Sequence, residues 1–92
     1  MKISYTHPIT QKRTSITLGS SMLRLYAAAH SYDVESDDFM FDPIYRAELQ
    51  KFITELTATY APESTTFPTF ISYVENAIAL EAISLITQLK NA

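Results

Sequence analysis

Two hydrophobic periods divide the chain. Over residues 12–18 the period is two. In an extended backbone Thr14, Ile16 and Leu18 face one way and Arg13, Ser15 and Thr17 the other, which predicts a half-buried strand. Residues 3–6 offer a second extended stretch, closed by His7-Pro8. Past Gly19 the period becomes helical. Met22, Leu25, Tyr26 and Ala29, with Leu23 on a second edge, predict a helix over 21–31. Gly19-Ser20-Ser21 ends the strand and offers a capping hydroxyl.

Residues 30–42 have no period and carry Asp33, Glu35, Asp37 and Asp38, so they read as an acidic loop. Asp42-Pro43 is a helix start: a capping carboxylate, then a proline in the first turn, where its missing N–H costs nothing. Tyr45, Leu49, Phe52, Ile53, Leu56 and Tyr60 form the inward stripe of a second helix over 43–60, which Ala61-Pro62 ends. Pro68 opens a third helix over 68–90, with Phe70, Ile71, Val74, Ala77, Ile78, Leu85, Ile86 and Leu89 inward. Leu80 and Ile83 widen that stripe beyond the need of a surface helix. At about 35 Å the helix is also long for one small subunit. Both features predict a homodimer.

The expected fold class is therefore mainly α with a short N-terminal β segment, three helices in a single domain over 1–92. Composition narrows the chemistry. The 92 residues are 47% hydrophobic and 18% charged, enough to bury a core. No uninterrupted apolar run exceeds five residues, which argues against membrane insertion. The N-terminal residues are too polar for a signal peptide, so a cytoplasmic location is expected. Without cysteine there is no disulfide, thiolate or Cys-based zinc chemistry. The single glycine removes glycine-rich phosphate loops, and no cofactor is expected.

Charge is unevenly spread. The net charge is −3, yet Lys2, Lys12, Arg13 and Arg24 precede every acid, and all ten acids lie beyond residue 32. A basic end on an acidic body is the implied pattern. His7 and His30 have no carboxylate at a telling spacing, and nothing selects a set such as Ser20, His30 and Asp33, so no enzyme is expected. Oxygens at alternate positions from Asp33 resemble a calcium loop. The match fails where glycine should stand (Asp38) and where glutamate should stand (Ile44), leaving a solvated loop or an acidic surface for a protein partner. Tyr5 and Tyr32 fall outside the helical stripes, as interface tyrosines do.

The segment Lys12-Arg13-Thr14-Ser15-Ile16-Thr17-Leu18-Gly19-Ser20-Ser21-Met22-Leu23, a short strand running into an amphipathic helix, resembles the opening of the ribbon-helix-helix family (CopG-, MetJ- and Arc-like repressors). The resemblance implies a homodimer that pairs one strand from each chain and inserts the ribbon into the major groove of double-stranded DNA. Arg13, Ser15 and Thr17 would then face the groove with Lys12 beside them. Arginine can read guanine bidentately, and Ser or Thr serves either base type. Thr65-Thr66-Phe67-Pro68 and the helix that follows resemble the second family helix, which makes Thr65 and Thr66 candidate phosphate contacts. About 35 residues, including a whole helix, stand where the family has a short turn. The implied roles are transcriptional repressor, antitoxin, or plasmid or phage accessory protein. The alternative is a non-enzymatic module that binds protein through the acidic loop and tyrosines. The DNA interpretation needs the Arg13 edge open on a two-chain pairing, and pairing of 3–6 with 13–18 inside one chain would block it.

Overall fold

In the computed structural model, which describes residues 1–8, 10–61, 66–67 and 69–90, both extended stretches form strands and meet. β1 (Lys2–Thr6) and β2 (Arg13–Thr17) make an antiparallel hairpin with Ile3 opposite Ile16 and Ser4 opposite Ser15. His7 N–H donates to the Lys12 carbonyl and Gln11 N–H to that of His7 (both 2.9 Å), while Gln11 takes the left-handed conformation at φ 59°. The alternation read from the sequence holds on β2. Ile3, Tyr5 and Ile16 turn toward the core, and Lys2, Ser4, Thr6, Arg13, Ser15 and Thr17 share the other face. The partner of β2 is its own N-terminal neighbour, where the family resemblance implied a second chain.

Ser20 begins α1 (Ser20–Ala29), so the hydroxyls lie inside the first turn and the N-cap is Gly19, with no side-chain capping bond. The expected serine cap is thereby corrected. The far end closes as a Schellman motif: Tyr32 N–H donates to the Ala27 carbonyl (2.9 Å) and Ser31 N–H to that of Ala28 (3.2 Å). Ser31 adopts φ 67° there, a position that favours glycine. Leu23, expected at an edge, is fully buried with Tyr26 and Ala27, while Met22 and Leu25 are half-buried.

The acidic stretch is not wholly irregular. A 3-10 turn spans Asp37–Phe41, with the Ser36 hydroxyl accepting from Asp38 N–H and Phe39 buried beneath it. Arg24 of α1 ties this segment down, donating to the Val34 carbonyl and to Asp37 (2.5 Å), with its guanidinium 5.1 Å from the Phe39 ring centre.

α2 (Pro43–Thr59) starts as the sequence predicts, with Asp42 Oδ1 accepting from Ile44 N–H (2.8 Å) and Tyr45 N–H (3.5 Å). Its buried line is Tyr45, Leu49, Ile53 and Thr57, each four residues on, with Phe52 and Leu56 half-buried. Thr57 is accommodated because its hydroxyl donates to the Thr54 carbonyl (2.6 Å). Tyr45 is the hub. Its hydroxyl donates to the Leu23 carbonyl (2.9 Å), and its ring meets Tyr32 and Phe39 edge-on at 5.4 Å.

α3 (Phe70–Lys90) buries Val74, Ile78 and Ala82 and packs mainly on α1, touching α2 sparingly. The inward assignment of Ile86 and Leu89 is corrected: they are 46% and 75% exposed. α3 is about 32 Å long and α1 about 15 Å, so its main packing partner is the shorter by half. The fold is thus mainly helical, three helices behind a two-stranded antiparallel hairpin, around a core of Ile3, Leu18, Leu23, Tyr26, Tyr45, Leu49, Ile53, Val74 and Ile78 with their neighbours.

Candidate interaction surfaces

The residues read as groove contacts do gather on one face. Arg13 and Thr17 are exposed, Ser15 is half-buried, and Lys2, Ser4 and Thr6 join them from β1. Lys12 is exposed in the connection between the strands. Beside this face lies an open cleft of about 340 Å³ lined by Ser4, Tyr5, Thr6 and Arg13 of the hairpin and Gln50, Lys51 and Thr54 of α2. Thr66 is exposed ahead of α3, and Thr65 lies outside the described residues. Arg24, part of the basic end in the sequence, is paired with Asp37 and belongs to the acidic segment instead.

Tyr5 and Tyr32 are structural. Tyr5 packs against Phe70 at 5.9 Å, and burial raises its pKa against a lowering hydrogen bond with Thr14. The Tyr32 hydroxyl donates to Glu48 (3.0 Å), and its pKa is raised by desolvation and then by that carboxylate. A sequence has no signal for such long-range pairings, which is why both tyrosines looked unassigned.

His30 ends α1 with its ring 4.3 Å from that of Tyr26 and its Nε2 3.0 Å from Glu81 Oε1 on α3. The contact is not aligned as a hydrogen bond and acts as an ion pair when the ring is protonated. Glu48, Lys51, Phe52 and Glu55 line the same 290 Å³ cleft. Burial, then Glu81 and Glu48, push the Tyr26 pKa well above its ordinary value. Among the described residues no group of three His, Asp or Glu side chains is placed to hold a metal.

Among the described residues, four of the six large hydrophobic side chains exposed to water lie on α3. Leu80 (59% exposed) and Ile83 (60%) point away from the body on the side opposite Val74, Ile78 and Ala82; Ile86, four residues past Ala82 on the inner row, is exposed on the flank, and Leu89 follows at the end. Phe41 and Ile44 form a smaller exposed pair where the acidic segment enters α2. Isolated polar residues break every apolar run in α3. By length and composition the helix could nevertheless cross a membrane, and only 17% of its most apolar 18-residue window is buried. Run length alone hides this property.

These features define a mainly helical domain that carries an N-terminal hairpin and an apolar helix uncovered on its outer side. No family model, curated protein or solved structure matches the chain.

Proposed function

We propose that the protein is a non-enzymatic interaction module that binds an amphipathic helix of a polypeptide partner through the outer side of α3. One observation carries this reading: Leu80 and Ile83, flanked by Ile86, stand in water on a helix whose opposite side already packs the core. Contiguous exposed aliphatic surface is costly to keep in water and marks contact sites. The acidic segment 33–42 and Phe41 lie on other elements and would at most extend the contact. A photo-crosslinking side chain at residue 83 should give polypeptide adducts in cells expressing the protein, while the same group at Arg46, on the exposed side of α2, should not. Equal yields at both positions, or none at 83, would overturn the reading.

A second reading, nucleic-acid binding, is favoured by the polar face of Lys2, Ser4, Thr6, Arg13, Ser15 and Thr17. Because β2 pairs within its own chain, the two-chain ribbon that the family resemblance implied is blocked, and this reading differs from it: the intrachain hairpin itself would enter the groove. Fluorescence anisotropy with duplex DNA tests it. Binding should fall steeply with added salt and weaken uniformly in Lys12→Ala, whereas Arg13→Ala should relax sequence preference. No binding at low salt removes the reading.

A further inference from the structure

We infer that the helix seated on α3 is α3 of a second copy, packed antiparallel about a two-fold axis near Ile83; the inference rests on the interaction reading above. The exposed side of α3 has an apolar centre (Leu80 and Ile83, flanked by Ile86 and half-buried Ala79) between unlike ends. Exposed Glu75 lies toward the N-terminal end and exposed Lys90 in the last turn. Such a face complements itself only head to tail. With Ile83 opposite Ile83, Leu80 meets Ile86 of the other copy at both ends of the apolar centre, and Lys90 falls opposite Asn76, beside Glu75. A parallel pairing would set Glu75 against Glu75 and Lys90 against Lys90, with the two helix dipoles aligned and repelling. The antiparallel arrangement opposes the dipoles and pairs the charges. A closed two-fold contact also uses the patch up, so this patch cannot propagate further copies. The i, i+3 spacing of Leu80, Ile83 and Ile86 supplies a ridge of the kind that packs between neighbouring helices.

The absence of cysteine from the chain makes the register directly testable. Wild type should sediment at twice its 10.4 kDa mass at micromolar concentration. Ile83→Cys should oxidise to a disulfide-linked dimer by itself. Leu80→Cys and Ile86→Cys should each cross-link weakly alone and efficiently when mixed. Lys90→Glu should weaken dimerisation and Glu75→Lys combined with Lys90→Glu should restore it. These positions are exposed, so circular dichroism of each variant should match wild type. Leu80→Cys cross-linking alone as well as in the mixture would establish parallel pairing and overturn the proposal. A chain that stays monomeric while residue 83 forms adducts with another polypeptide overturns the second copy as occupant and leaves the interaction reading standing. Monomers that bind phosphatidylcholine vesicles through Leu80 and Ile83 would overturn both in favour of a lipid surface.

Discussion

α2 turns Tyr45, Leu49, Ile53 and Thr57 inward and Arg46, Glu48, Gln50, Lys51 and Glu55 outward, whereas α3 turns Val74, Ile78 and Ala82 inward and still presents Leu80, Ile83 and Ile86 to water. Both helices supply the same kind of buried line, so the needs of the core explain α2 apart from Ile44 in its first turn, and α3 only in part. A residue on the inner side of either helix has its consequence within the subunit. Aliphatic residues on the outer side of α3 have none there, and their consequence lies in what the subunit touches.

The sharpest break between the two sides is expected from truncation. Leu49→Ala and Ile78→Ala should each destabilise the fold by about 2–5 kcal/mol in urea unfolding, because fully buried aliphatic side chains leave cavities. Ile83→Ala should change monomer stability by no more than about 0.5 kcal/mol. Equal costs at 78 and 83 in dilute protein would erase the distinction.

Next in size is Tyr45→Phe. Loss of the buried bond to the Leu23 carbonyl should cost about 1 kcal/mol. Alkali probes the same inner face. Burial, and then neighbouring Tyr32, push the Tyr45 pKa up to about 12. A neutral hydroxyl favoured by the fold contributes fully below pH 10, the unfolded value, and its contribution is lost as pH rises from 10 toward 12. Stability followed by near-ultraviolet absorbance should therefore fall above pH 10, and less steeply in Tyr45→Phe.

Ser31→Gly should raise stability by up to about 1 kcal/mol, since Ser31 holds the left-handed turn that closes α1. It touches neither outer face, so melting temperature should rise with association unchanged, separating the two quantities. Arg24→Ala is expected to be the smallest. Its ion pair with Asp37 is partly exposed, and such pairs contribute under about 1 kcal/mol, so the loss measured by thermal melts should shrink further in high salt.

Local chemistry made most elements legible in the sequence. The Asp42-Pro43 start of α2, the alternation on β2 and the surplus of aliphatic residues at Leu80 and Ile83 follow from residues a few positions apart, and all three stand in the structure. Contacts set by the path of the chain were not legible. Nothing within 12–18 specifies that its partner is 2–6, because a strand that can pair with a second chain can equally pair with its own neighbour. Leu89 continues the inner periodicity of α3, and only the shortness of α1 explains its exposure. The anchoring of the acidic segment by Arg24 across 13 residues to Asp37 is likewise a product of folding. Of the candidate site, Arg13, Ser15 and Thr17 were correctly placed on one polar face, while the uncovered helix surface was legible as an excess of aliphatic residues.

In the two-stranded sheet β2 hydrogen-bonds on one side alone, so its remaining margin could template further strands in a crowded solution. Three traits blunt that hazard. The strand is five residues long, it is entered through adjacent cations at Lys12 and Arg13, and it stops short of Gly19, where the backbone turns into α1. A fibril growing from this margin would have to stack those cations at every layer, which makes the hairpin a poor seed for amyloid even in concentrated protein.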